Sequence, residues 1–434
     1  MRNVSKKIKP LLTSSFLKQG VLFTGISFFG SFLNYLFNSL SAKRLGPTGY
    51  GEIATLFAYA TVFSGIPTLA ISNDIIRRLG QKGDHKLVFI YRWEQWMFEK
   101  SRRWIYLIIP YFLLIFLLPP LTNLSVFSTL TLLFIVLFTF ISAFYVAAYQ
   151  GIRWFALLSY ISLAATFIKL AGPVLVYFHV DGINTILTCL IFSAIIPLIL
   201  CHYFLKKSFK KLSNNERAPK VDKRLFKAIL YNKPLVTTAF SITALNILNN
   251  LDVIFVKKYF SPQEAGMYAA WSLFAKIIFF VFGSTIGLSF VFFTSREYAK
   301  YQMKALMGIL LVFFIGAIVS FYFYSSFGFF LINVIFTPHY QVINQYLPLA
   351  SLFGFFYSLI FILNNYFLAK NSRFSLLAFF GAIFYAMVLF SFGQKLESIF
   401  LIDVYSSSAI AGIYLLAIFY YNMRKWNSKN QATS

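Results

Sequence analysis

Long uninterrupted apolar stretches fill most of the chain, separated by short polar breaks, and inside the stretches apolar and polar residues do not alternate. Each stretch holds about the 20 residues that a helix needs to cross a hydrocarbon core of about 30 Å. A bilayer admits only helices or closed barrels, because every backbone polar group must be satisfied without water, and barrel strands would show a two-residue period. The pattern therefore predicts twelve transmembrane helices, over 18–42, 51–76, 104–121, 127–149, 155–178, 184–204, 234–256, 266–294, 305–324, 346–368, 374–392 and 400–421. The expected fold class is all-α, that of a polytopic membrane protein.

Two stretches repeat each other. "NYLFNSLSAKRLGPTGYGEIATLFAYA" near the start and "NILNNLDVIFVKKYFSPQEAGMYAAWSLFAK" past the middle carry the same landmarks in the same order. Asn34 and Asn38 answer to Asn246 and Asn250, Lys43-Arg44 to Lys257-Lys258, and Pro47 and Gly51 to Pro262 and Gly266. The offset grows from 212 to 215 residues, close to half of the 434-residue chain, so a six-span unit is duplicated. An even number of crossings returns each half to its starting side, which makes the lobes parallel repeats about an axis along the membrane normal. The division expected is a six-helix lobe over 1–204, a polar cytoplasmic linker over 205–233 and a second six-helix lobe over 234–434.

Composition narrows the class further. At 59% hydrophobic and 12% charged residues, with mean hydropathy +0.71, the chain is too apolar for a soluble domain of this size. Its net charge of +26 would point to nucleic acid in a soluble protein, but here the charge follows topology. Eight Lys or Arg fall in 77–103 and nine in 205–230, with others at both ends, whereas the opposite-side breaks hold little beyond the two dibasic pairs and Lys395. The positive-inside rule then places both termini in the cytoplasm of a cell-membrane protein. Orientation accounts for the basic loops without nucleic acid, and the linker's basic face suits anionic headgroups.

The chain shows no nucleophile–base set, paired carboxylates or phosphate-cradling glycine loop in any extramembrane segment, so neither an enzyme nor a nucleotide-driven pump is expected, and no cofactor. The first apolar stretch lacks a cleavage site and stays as the first span. Cys189 and Cys201 lie twelve residues apart on one predicted helix, about 18 Å, and read as packing residues. His85, His179, His202 and His339 are scattered without metal-ligand spacing and read as isolated interfacial residues.

"RLGPTGYGEIATLFAYATVFSGIPTLAISND" and its counterpart "NNLDVIFVKKYFSPQEAGMYAAWSLFAK" resemble the first-to-second and seventh-to-eighth span signatures of bacterial polysaccharide flippases, in the multidrug/oligosaccharidyl-lipid/polysaccharide exporter superfamily. A turn of the family's Gln-Gly-x-Arg type follows the fourth span as Gln150-Gly151-Ile152-Arg153 and is echoed by Lys370-Asn371-Ser372-Arg373 after the tenth. The chain departs from the family in lacking a Pro near the end of the eighth span. The resemblance implies a transporter that moves a lipid-linked oligosaccharide, usually undecaprenyl-pyrophosphate linked, from the inner to the outer leaflet between two lobes by alternating access. The partners it implies are that lipid, membrane lipids, H⁺ or Na⁺, and other polysaccharide-assembly proteins.

An anionic pyrophosphate calls for cations facing a pathway. Lys169 lies deep in the fifth predicted span, on a stripe with Ser162, Thr166 and Gly172, and Pro173 removes the hydrogen bond to its carbonyl, so the helix is expected to open there. Lys276 in the eighth span shares a stripe with Ser272, Gly283 and Gly287. Snorkelling to a headgroup is the alternative for both. Lys43, Arg44, Lys257 and Lys258, which also suit helix anchoring, and the duplicated Asn34, Asn38, Asn246 and Asn250 complete the candidate substrate-binding set. Asp252, on a face with Asn246 and Asn249, is the candidate ion-coupling residue, with helix-end balancing of Lys257 and Lys258 as its alternative. Glu52 is expected to stabilise the start of the second span, and Asp74, Asp181 and Asp403 to sit solvated at span ends.

Two other functions remain open. A multidrug exporter of cations would require buried carboxylates, whereas the deepest charges predicted are lysines. A membrane-embedded sugar polymerase or ligase would require a large external loop, and the longest expected, 325–345, offers only His339 as an acid or base.

Overall fold

The computed structural model describes residues 15–81, 86–152, 154–178, 182–209, 233–294 and 301–431. Most of the linker, together with Asp181, His85, His179 and Arg153, lies outside them. The described residues form helices joined by turns, and every one of the twelve predicted stretches is met by helix. The protein is an all-α, polytopic membrane protein of two six-helix lobes. Eight of the described helices are long and apolar enough to cross a membrane, and one bent pair passes the same test together, for up to nine. The other predicted stretches fall on the two arms of Ser15–Gln81 and on Lys86–Leu113.

Contacts divide the chain into two compact units. The first comprises Met1–Arg44 and Pro67–Tyr231; the second comprises Leu45–Ile66 and Asn232–Ser434. Helix α1 (Ser15–Gln81) contributes to both, and Gly46 marks the change. With φ 64° and ψ −174°, Gly46 takes a conformation that a side chain would strain, and Pro47 begins the next helical arm.

In the first unit, α2 (Lys86–Leu113) begins well before the predicted third span, so part of the basic 77–103 segment is helix rather than loop. Its membrane stretch then tightens into a 3-10 turn and a short helix, α3 (Leu118–Thr122), closed by left-handed Asn123. Helices α4 (Val126–Gly151), α5 (Phe155–Tyr177) and α6 (Gly182–Phe209) complete the unit, with α6 packed on both α4 and α5. Ser125 caps α4 by accepting from the Ser128 amide at 3.2 Å. Phe144, Tyr145, Ala148, Tyr149, Leu158 and Leu205 are among the residues of the buried core.

The second unit opens with α7 (Lys233–Leu248) and α8 (Leu251–Tyr259), one span broken at Asn249-Asn250 and bent by 46°. Helix α9 (Pro262–Thr294) starts with a capping box: Ser261 Oγ accepts from the Glu264 amide at 3.3 Å, and Glu264 Oε2 accepts from the Ser261 amide at 3.0 Å. Next come α10 (Gln302–Ile335), α11 (Leu347–Ala369), α12 (Leu377–Phe392) and α13 (Leu396–Gln431). Helix α11 is the buried centre, packed on α9, α10 and α13, whereas α10 presents Leu311, Phe314, Val319, Tyr322, Phe329 and other large apolar side chains outward.

The expected loop at 325–345 is not a loop. The apolar run after Tyr324 continues α10 to Ile335, and Pro338–Tyr346 forms a 3-10 segment leading into α11. After the tenth span, Lys370 ends α11, Asn371 turns with φ 49°, and Ser372 caps the following turn by accepting from Phe374.

The duplicated glycines meet inside the second unit. A β-carbon on Gly51 would lie 2.8 Å from the Gly266 nitrogen, and one on Gly266 would strike the Pro47 carbonyl. Gly266 is therefore a backbone-contact position.

Candidate functional site

In the first unit, Lys169 of α5 donates to Asn34 Oδ1 at 3.0 Å, and its ammonium lies 4.3 Å from the centre of the Phe37 ring. The Asn34 amide donates one turn back to the Gly30 carbonyl at 3.1 Å, which leaves its oxygen for the lysine. Both of these contacts are with uncharged groups, an amide and an aromatic ring, and they fix where the ammonium points. Helix α5 runs on through Pro173 to Tyr177, so the expected opening does not occur. Gly172 lies against Ile186 and Cys189 of α6, and this packing supports the turn that lacks its hydrogen bond. Thr166 is buried, while Ser162 is exposed.

A related pair forms in the second unit, where Lys276 of α9 donates to Asn250 Oδ1 at 3.2 Å. The duplication is visible in the asparagines themselves: Asn38 donates to the Asn34 carbonyl and Asn250 to the Asn246 carbonyl, each at 2.8 Å. The lysine partner is the first asparagine of the pair in one unit and the second in the other. Asn246 is placed against Gly65. Ser272, on the Lys276 stripe, is buried, and the surroundings of Gly283 and Gly287 lie outside the described residues.

The dibasic pairs have different settings. Lys43 and Arg44 are exposed, and the Arg44 guanidinium lies 3.7 Å from the centre of the Tyr177 ring. Lys257 is buried within electrostatic reach of Glu52, and Lys258 is half-buried.

Asp252 sits in the first turn of α8, fully buried, where the N-terminus of the broken span favours negative charge. Its Oδ2 accepts from the Tyr268 hydroxyl at 2.7 Å, and Tyr268 also contacts Asp403 Oδ2. Tyr385 donates to Asp403 Oδ1 at 2.5 Å. Asp252 Oδ1 is buried without a hydrogen-bond partner among the described residues, and Lys276 lies within electrostatic reach of the same carboxylate. Asp403 thus departs from the solvated span-end expectation: α13 begins at Leu396, which carries Asp403 past the first turn and into the packed interior. Three oxygen–oxygen contacts link these four residues, and the two phenols supply only two protons. The two carboxylates and two phenols thus form one buried oxygen cluster, in which each tyrosine hydroxyl can donate to one carboxylate oxygen at a time.

Sequence reasoning missed Tyr268, Asp403 and Tyr385. A tyrosine eight residues before Lys276 carries no local sign of its partner 135 residues away. His202 also departs from the isolated-interface expectation, since its Nδ1 lies 3.0 Å from Oε1 of buried Glu94.

The model of the family described as "Polysaccharide biosynthesis protein" matches residues 16–291, well over half of the chain. The chain belongs to that family. Among curated proteins there is no sequence match. Among solved structures, an inward-facing multidrug resistance MATE family transporter of the MOP superfamily superimposes with TM-score 0.71 at 12% identity, over 92% of this chain and 95% of that one. The lipid II flippase MurJ, in an inward closed conformation, gives TM-score 0.69 at 14% identity, over 92% and 87%. A MOP superfamily transporter from Pyrococcus furiosus, described by the reverse polarity of its binding pocket, gives 0.56 at 12% identity over 95% and 97%. These likenesses establish the fold.

Proposed function

We propose that the protein moves an undecaprenyl-pyrophosphate type oligosaccharide from the inner to the outer leaflet by alternating access, for surface polysaccharide biosynthesis. The observation that carries this reading is the pair of half-buried lysines, Lys169 on Asn34 and Lys276 on Asn250, one in each unit. Each presents an ammonium within a span, hydrogen-bonded to an asparagine amide, with Asp252 also near Lys276, and charge-assisted hydrogen bonds to phosphate oxygens are the strong use of such a group. Membership of the polysaccharide biosynthesis family supports the substrate class. Lys43, Arg44, Lys257, Lys258, Asn38 and Asn246 serve as secondary contacts at the ends of the same spans. Asp252 and Asp403 exchange H⁺ or Na⁺ to drive the cycle, both termini are cytoplasmic, and other polysaccharide-assembly proteins act on the flipped product.

A second reading, export of cations, is favoured by a specific observation. Asp252 and Asp403 are fully buried, so the expectation that only lysines lie deep no longer argues against it. Proteoliposomes separate the two. The purified chain is expected to flip a fluorescent lipid-pyrophosphate saccharide without ATP and not to accumulate a cationic dye under an imposed gradient. Dye transport without flipping would replace the first reading with the second.

A further inference from the structure

A cavity of about 440 Å³ lies within the first unit, between the N-terminal half of α2 and the C-terminal end of α6, lined by Tyr91, Glu94, Gln95, Phe98, His202, Lys206 and Phe209. It shares no residue with the lysine sites or with the aspartate network. At its base Glu94 is 2% exposed, and its Oε1 is engaged twice, by the Tyr145 hydroxyl at 3.0 Å and by His202 Nδ1 at 3.0 Å. Glu94 Oε2 has no hydrogen-bond partner among the described residues, so a buried carboxylate brings an unused acceptor to the cavity. The walls are aromatic: Tyr91 and Phe209 meet edge to face at 5.1 Å, and Phe98 meets the His202 ring at 5.5 Å. Phe98 is 50% exposed at the rim.

We propose that this cavity is a saccharide-binding site that takes one pyranose ring. Its size falls within the range of small-molecule sites, which run from about 300 to 1,000 Å³. The polar groups are of both kinds: Glu94 accepts, Lys206 donates, and Gln95 and His202 do either. Opposite charges offset each other, so the site selects neither an anion nor a cation, and Glu94 would repel a phosphate. Among the described residues no three His, Cys, Asp or Glu side chains gather as a metal site would require. Hydroxyl groups around a ring with apolar C–H faces match alternating donors and acceptors between aromatic walls. The identity of the natural sugar rests on the flippase reading, while the site itself does not.

Trp93 and Trp96 flank the lining residues Glu94 and Gln95 in sequence, so tryptophan emission is the readout chosen. The detergent-purified full-length chain is titrated with methyl glucoside, methyl galactoside, methyl N-acetylglucosaminide, sorbitol and inorganic phosphate while tryptophan emission is followed. The expected result is a saturable change with at least one glycoside at millimolar concentration and none with sorbitol. Phe98→Leu at the exposed rim and Glu94→Gln at the base each weaken it by about tenfold or more, a factor worth about 1.4 kcal/mol. No saturable response to any of the three glycosides, a response to phosphate alone, or unchanged affinity in folded Phe98→Leu would overturn the proposal. Glycoside binding without lipid-saccharide flipping would retain this site and remove the transport reading. Flipping without glycoside binding would do the reverse.

Discussion

Lys169 and Lys276 stand out in the sequence because a charge within an apolar run is costly wherever it faces lipid. What they touch is settled by side chains 135 and 26 residues away, so Asn34 and Asn250 were legible as repeated landmarks but not as lysine partners. The placement yields a graded expectation. Lys→Ala at either position lowers transport about tenfold or more, the worth of a lost charge-assisted hydrogen bond, while membrane abundance is retained. Lys→Arg is tolerated better, and Lys→Glu is worst because it repels the substrate's phosphates where screening is weak. Complementation measured beside abundance checks the series. Wild-type transport by both alanine variants would remove the lysines from the site and leave snorkelling as their role.

At the scale of elements, hydropathy marked where helices cross but not where they end. It closed the ninth span at 324, whereas α10 runs to Ile335, because Phe329, Phe330 and Val334 continue an outward apolar surface that favours helix over loop. It also left the bend between α7 and α8 unseen. The glycines define contacts that can be tested one at a time. Gly266→Val would drive its side chain into the Pro47 backbone and is expected to destabilise by about 1–3 kcal/mol, as overpacking does. Gly412→Ala, where a β-carbon meets nothing within 4 Å, is expected to be neutral or slightly stabilising. Thermal unfolding of the two purified variants provides the comparison, and equal midpoints would show that the Gly266 contact does not matter.

For the whole molecule, the aspartate network sets the expectation about energy. Transport by the wild-type chain proceeds without ATP and responds to an imposed ion gradient or potential, at about 2.3 kcal/mol per unit charge per 100 mV. Asp403→Asn keeps the side-chain shape but removes the exchangeable charge beside Tyr268 and Tyr385, so the variant loses the response to the gradient while any downhill flipping persists. Flux measured in vesicles with and without the gradient decides it, and an undiminished response in Asp403→Asn would take the network out of coupling. The sequence by itself determined the membrane class, the helical architecture and the duplication, because the bilayer penalises unsatisfied backbone and a hydropathy period is local information. It also exposed the lysines and Asp252 as charges that need a reason. Only the tertiary structure decided that Asp403 is buried with Tyr268 and Tyr385, that His202 meets Glu94, and that Gly51 lies against Gly266. Each of these rests on residues far apart in the chain, and a hydrogen bond or a backbone contact leaves no periodic trace along the sequence that encodes it.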